Sequence, residues 1–358
     1  MIIIGCDFHT GFQQIALLDR ESGEFVERRL EHETGDARAF YAGLPGRALV
    51  GMEATGDAPW FERMLSDLGH ELWVGNAAAI RASMARKQKT DARDALHILD
   101  LLLGNRFPRI WIAAPEERDA WQLLRHRDKL VRWRTAVRNQ LHALALGEGV
   151  CRKKKLWTEA GRKELEGLAL GNWARRRRQD LIEMLDRLAP SIEELDQAVS
   201  EQAEKRPAAV LLLRQAGVGP VTSLAFVLLG GSVRRFPGSR ELVSSVGLHP
   251  SENSSGGRQR LGSSSKQGNA LVRFLLLPAA QTASRTDAAL RRDYQRLVFR
   301  RGTAVATVAI ARKLAVRLYW RLREAAQAGA ADSHAGQPVV ASGRVSSTDA
   351  VIGRPASL

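Results

Sequence analysis

Four carboxylates in the N-terminal third have the types and positions that metal chemistry requires. Asp7 ends the apolar run IIIGCD at residues 2–7, and Glu53 ends ALVGME at 48–53. An acid closing a strand-like run emerges where the strand gives way to loop. Asp91 and Asp94 stand three apart in KTDARDALHILDLL, residues 89–102, and so share one face of the first turn of an apolar helix. Four gathered carboxylates repel strongly unless divalent cations neutralise them. Hard oxygen donors suit magnesium, and two ions about 4 Å apart are a recurrent device for in-line phosphoryl transfer. Singly, each acid has a plainer role. Asp91 and Asp94 favour the positive end of a helix capped by Thr90, and acids at strand ends are common. The set of four on a strongly basic chain favours the metal.

Two loops bear on phosphate chemistry. In AGVGPVTS, residues 216–223, Gly217 and Gly219 bracket a tight turn. Amides at the following helix N-terminus would suit a nucleic-acid backbone, and a plain helix–helix turn fits equally well. Residues 249–276, HPSENSSGGRQRLGSSSKQGNALVRFLL, set glycine-flanked serines beside Arg258, Arg260, Lys266 and Arg273. An accessible serine hydroxyl could attack a phosphate whose charge the cations steady. Composition alone favours a flexible surface loop.

The elements that must position these residues fall into segments. Across 358 residues, 54 Lys and Arg against 39 Asp and Glu give a net charge of +15. That balance points to a polyanion, most simply nucleic acid, although an anionic membrane surface also fits. No apolar run reaches membrane-spanning length, the N-terminus lacks a cationic signal region, and two distant cysteines, Cys6 and Cys151, form no framework. A reducing, cytoplasmic setting follows. Strand-like runs at 2–7, 14–18, 25–30, 48–53 and 71–74, with a helix at 59–68, predict an α/β domain over 1–113. Residues 114–206 read as helical and basic: 121–178 hold 16 Lys and Arg against 5 acids, densest at 152–155 and 175–178. Leu181, Leu185, Leu188, Ile192, Leu195 and Val199 make a heptad seam, with Pro190 predicting a kinked helix or two helices. The seam could pair two subunits or pack within one. Residues 207–325 form a third, mostly helical segment, and 326–358 lack apolar periodicity and read as a disordered tail.

GCD at 5–7, MEATG at 52–56, KTDARDA at 89–95, AGVGPVTS, and SSGGRQRLGSSSKQGNALVR at 254–273 occur in an order that resembles the DEDD transposases of the IS110 family of insertion sequences, the bridge-RNA-guided recombinases. The resemblance covers about residues 1–325. It implies an N-terminal RuvC-like ribonuclease-H fold, a helical coiled-coil insertion and a mostly helical C-terminal transposase domain. Asp7, Glu53, Asp91 and Asp94 match the family's metal-binding acids, with Mg2+ the implied cofactor. Ser255, five residues after Pro250 and followed by Gly256, matches the nucleophile, with the adjacent Ser254 as its alternative. The implied reaction cleaves donor and target DNA through a covalent phosphoserine, then exchanges and rejoins strands. The implied partners are a structured guide RNA and further copies of the chain, in a tetramer where acids of one subunit meet the serine of another.

Arg152, Lys153, Lys154, Lys155, Arg175, Arg176, Arg177, Arg178, Gly217, Gly219, Arg258, Arg260 and Lys266 are the candidate nucleic-acid contacts. The family often carries a lysine shortly after the first aspartate, where this chain reads Asp7-Phe8-His9-Thr10. His9 reads as a spectator first, with a phosphate contact and a local substitute for that lysine as the alternatives. Two rival readings share parts of this pattern: a RuvC-type nuclease that hydrolyses branched DNA with no covalent intermediate, and a non-catalytic nucleic-acid-binding protein.

Overall fold

A computed structural model describes residues 1–55, 58–84, 90–151, 155–254, 258 and 260–335. The chain divides into two compact units, 1–113 and 114 onward.

The first unit is built on a five-stranded mixed sheet. Strands β1 (Ile2–Phe8), β2 (Phe12–Asp19) and β3 (Phe25–Glu31) form an antiparallel meander. Strand β4 (Ala48–Glu53) runs parallel to β1, and β5 (Glu71–Gly75) parallel to β4, giving the order β3-β2-β1-β4-β5. Helices α1 (Asp36–Ala42), α2 (Pro59–Asp67), α3 (Ala77–Ser83) and α4 (Asp91–Leu103) complete it. The central strand β1 is apolar at nearly every position because it is covered on both faces.

Alternation sorts its side chains. Ile2, Ile4 and Cys6 join Val50 and Met52 in a core with Tyr41 of α1 and Phe61 and Leu65 of α2. Ile3 and Leu49 join Ile98, Leu99 and Leu102 of α4 on the other face. A period of two therefore puts Gly5 and Asp7, with Gly51 and Glu53, on the α4 side. A Cβ at Gly5 would lie 2.2 Å from the Ala95 carbonyl oxygen and 2.5 Å from the Leu99 nitrogen. The backbone of α4 thus rests directly on β1, and its first turn arrives beside Asp7.

The second unit is helical. It comprises α5 (Pro115–Gly147), α6 (Glu159–Glu166), α7 (Asn172–Glu204), α8 (Pro207–Leu213), α9 (Pro220–Gly230), α10 (Ser239–Ser245), α11 (Ala270–Thr286) and α12 (Ala288–Ala335), with a small hairpin, β6 (Pro250–Glu252) and β7 (Leu261–Ser264). Helix α7 continues through Pro190. Its seam packs antiparallel on α5 of the same chain: Leu181 and Ile182 meet Val137 and Leu141, and Arg127 pairs with Asp196 at 2.7 Å. The division expected near residue 206 is bridged by a common core. Ala120, Trp121 and Leu124 of α5 and Val199 and Ala203 of α7 pack with Phe226, Leu276 and Leu314. Trp121 Nε1 donates to the Leu228 carbonyl at 3.1 Å. The expected disordered tail also begins too early. Helix α12 runs to Ala335, and Arg234 donates to the Ala326 carbonyl at 2.7 Å. The rest of that tail, 336–358, lies outside the described residues.

Gly217 has φ 79°, and a Cβ there would lie 2.2 Å from the Ala279 carbonyl oxygen of α11. Packing of α11 accounts for a glycine at this position. Gly219 faces open space in an extended conformation. Gly217→Ala is expected to destabilise the chain by about 1–3 kcal/mol, and Gly219→Ala by less than ~0.5 kcal/mol, as read by denaturant titration.

Candidate metal centre and serine loop

Asp7 lies in the last turn of pleat of β1, Glu53 ends the adjacent β4, and Asp91 and Asp94 occupy the first turn of α4. Thr90 caps that helix by accepting from the Arg93 amide at 3.4 Å, so the capping role and the clustering of acids coexist. Asp7, His9 and Asp91 offer one donor atom each, all within 4.8 Å of one another. Asp94 is buried, its Oδ1 sealed from solvent.

The charges show how close the acids are. Burial holds the Asp7 carboxyl above its usual range; His9 pulls it back, and Asp94 and Asp91 push it up again. Two carboxylates and an imidazole within this span fit a divalent cation, whose charge would offset the repulsion. Beneath them the Cys6 thiol is raised by burial and by Asp7, and donates to Gln13 Oε1 at 3.0 Å, so it is a neutral packing group. Glu53 is drawn aside by Arg81 at 3.5 Å and is not among the side chains grouped within 4.8 Å. Two of the four expected acids, Asp7 and Asp91, come together with His9; Asp94 acts on the charge of Asp7 from the same turn of α4, and Glu53 stands one strand over.

His9 is no bystander. Its Nε2 lies 3.1 Å from Asp7 Oδ2 and 3.6 Å from Asp91 Oδ1, and its ring stacks on Phe12 with centroids 4.6 Å apart. The signal was its spacing, since residues two apart at a strand end share a face. Arg81, the partner of Glu53, carried no comparable signal.

The serine loop springs from the β6–β7 hairpin, where Glu252 pairs with Leu261 and the Asn253 amide donates to the Arg260 carbonyl at 2.9 Å. The Ser254 hydroxyl donates to Glu252 Oε1 at 2.6 Å and accepts from the Arg260 amide at 3.1 Å. Ser255, the expected nucleophile, lies outside the described residues. Arg258 and Arg260 are exposed on the loop, and Lys266 stands at its base with φ 56°.

The basic runs divide. Arg178 turns inward, donating to the Leu165 and Leu168 carbonyls at 3.2 Å, and Arg175 donates to the Leu170 carbonyl at 3.3 Å. These two close the end of α6 and the turn after it, a structural role beside the expected phosphate contacts. Arg176 and Arg177 are exposed, holding Asp180 and Gln140, and Lys155 is exposed in a short 3-10 turn. Arg152, Lys153 and Lys154 lie outside the described residues.

Because its folded-state pKa is raised, ionised Asp7 costs stability at neutral pH. Without metal, Asp7→Asn is expected to raise Tm near pH 7 by ~2–5 °C. The gain should shrink as pH falls through the raised pKa of Asp7 and vanish below the ordinary carboxylate range. Adding a divalent cation should stabilise the native chain and not the variant, both read by thermal scans.

Residues 4–147 match the DEDD family model of IS110 type, described as Transposase, and residues 209–295 match the family described as Transposase IS116/IS110/IS902. The chain is 30% identical over 333 residues to a "Probable family 20 transposase" of Pseudomonas aeruginosa, covering 89% of this chain and 96% of that protein. It is 27% identical over 339 residues to the "Transposase for insertion sequence element IS1111A" of Coxiella burnetii, covering 89% of each. The "Transposase for insertion sequence element IS1328" of Yersinia enterocolitica is 28% identical over 283 residues, 78% of this chain and 83% of that one. With acids at the strand and helix ends that these matches span, the chain belongs to the IS110 family of DEDD transposases.

Proposed function

We propose that the chain cuts and rejoins donor and target DNA of an insertion sequence by magnesium-assisted attack of a serine hydroxyl, directed by a structured guide RNA. The observation that carries this reading is the gathering of Asp7, His9 and Asp91 where α4 meets the end of β1, with Asp94 adding its charge from the same helical turn. A sheet of three antiparallel strands followed by two parallel ones, with acids at the ends of the first and fourth, supports a RuvC-like ribonuclease-H fold.

Asp7, Asp91 and Asp94 would hold the cation, with Glu53 turning in from Arg81 and His9 offering a nitrogen. When bound, magnesium neutralises the carboxylates and polarises the phosphate. The chain's own groups do the rest. Ser255 Oγ, or Ser254 Oγ in its place, forms the bond to phosphorus while the DNA phosphorus–oxygen bond breaks and the departing oxygen takes a proton. Glu252, hydrogen-bonded to Ser254, is suited to receive the serine proton. Arg258 and Arg260 steady the phosphate charge. Rejoining is the reverse, with a DNA hydroxyl attacking the phosphoserine. The acids and the serine belong to different units, and the assembly proposed is a dimer of dimers in which one subunit's acids serve another's serine. Exposed Lys155, Arg176 and Arg177 supply guide-RNA contacts. The setting is the cytoplasm, on chromosomal DNA; among the described residues no helix is long and apolar enough to cross a membrane.

The test uses the chain with Mg2+, guide RNA and plasmid DNA carrying the element's ends. Ser255→Ala should abolish protein covalently trapped on DNA while leaving RNA binding intact, and Ser254→Ala should retain trapping. Asp7→Asn should abolish cleavage with DNA binding preserved. Cleavage by Ser255→Ala and Ser254→Ala alike, without any trapped species, would favour the water-using nuclease.

A further inference from the structure

Between the serine hairpin and α12 runs a groove of about 850 Å³. One wall is the hairpin itself, at Pro250, Gly262, Ser263 and Ser264. The other is α12 on both sides of Gly302, where the helix breaks with φ 81° and ψ 166°. Leu297, Val305, Val308 and Val316 make an apolar floor, and Val305 is 53% exposed. Lys266, Arg296, Arg312 and Lys313 make the rim, and no carboxylate lines the groove among the described residues. Asp293, outside the lining, holds Lys313 and lies 3.9 Å from Arg296. Lys266 and Arg312 make no ion pair among the described residues.

We propose that this groove takes a single-stranded DNA segment beside the phosphate under attack, its bases on the apolar floor and its phosphates on the cationic rim. Four cations with no lining acid call for a polyanion. An aliphatic floor between them calls for one that exposes apolar faces. A duplex stacks its base faces inward, whereas a single strand offers faces and phosphates together. The hairpin wall leads into Ser254, so a strand lying in the groove runs beside that hydroxyl. The base of that wall is braced: the Ser265 amide donates to the His249 carbonyl at 2.9 Å, and the Asn269 amide to the Ser245 carbonyl at 2.8 Å. Lys266 is therefore held in place before any strand arrives, in a left-handed conformation that a free lysine seldom adopts. The choice of DNA as occupant rests on the proposed function.

Fluorescence anisotropy of a short, mixed-sequence, fluorescein-labelled single-stranded DNA, titrated with the full chain in EDTA, tests this. Arg296→Ala/Arg312→Ala should weaken binding roughly tenfold and reduce the log–log salt slope by about 1.4, the value for two phosphate contacts on a single strand. Val305→Asn/Val308→Asn should weaken it roughly tenfold with the slope unchanged and duplex binding unaltered. Unchanged single-strand affinity in both folded variants would overturn the proposal. So would tighter binding of RNA of the same sequence, or loss of self-association in sedimentation with DNA affinity intact, which would assign the groove to guide RNA or to a second copy. Binding in EDTA needs no cleavage, so failure here leaves the serine and metal reading standing. Conversely, a Ser254→Ala/Ser255→Ala double variant that still forms the covalent species would sink that reading and leave the groove's affinity untouched.

Discussion

The contact between the backbone of α4 and β1 at Gly5 governs the catalytic end of the first unit. A strand and a helix normally meet through side chains on both. Here the strand contributes none, and Ala95 and Leu99 sit where a Cβ would otherwise be. Gly5 is two residues before Asp7, and Ala95 directly follows Asp94. The covalent chain thus converts one close packing contact into the convergence of acids that lie over 80 residues apart in sequence. A side chain at residue 5 would lift the helix and with it the first turn that carries Asp91 and Asp94.

Gathering those acids has a cost, and the fold offsets part of it before any metal binds. Asp91 and Asp94 lie at the positive end of α4, where carboxylates are stabilised. His9 lies against both Asp7 and Asp91. Burial first, and then the repulsion of Asp94 and Asp91, leave the Asp7 carboxyl above its usual range. A cation placed among these groups would relieve that repulsion. The second unit follows a parallel logic: Gly217 lets α11 approach, while a braced hairpin carries Ser254 out to the surface.

Much of the first unit was legible in the sequence. Each apolar run in the N-terminal third became a strand, because runs ended by acids and separated by polar breaks leave little alternative in a short α/β unit. The positions of the acids at strand and helix ends were legible for the same reason. The place of His9 beside Asp7 and Asp91 was not drawn from the sequence, because it was compared with a lysine while its position two residues from Asp7 went unweighed. The heptad seam showed that α7 buries an apolar stripe, yet a stripe does not name its partner, and α5 of the same chain supplies one. Arg175 and Arg178 looked like phosphate contacts because charge runs reveal sign and not direction; carbonyls at a helix end claimed them. The tail misled because α12 past Ala326 is rich in alanine and small residues, which form helix readily without an apolar period.

The most direct test of the account is the anomalous diffraction of a crystal of the chain soaked in Mn2+. The account predicts a peak between the carboxylates of Asp7 and Asp91 beside the first turn of α4. A well-ordered site empty at high Mn2+, or a peak confined to carboxylates elsewhere on the chain, would contradict it.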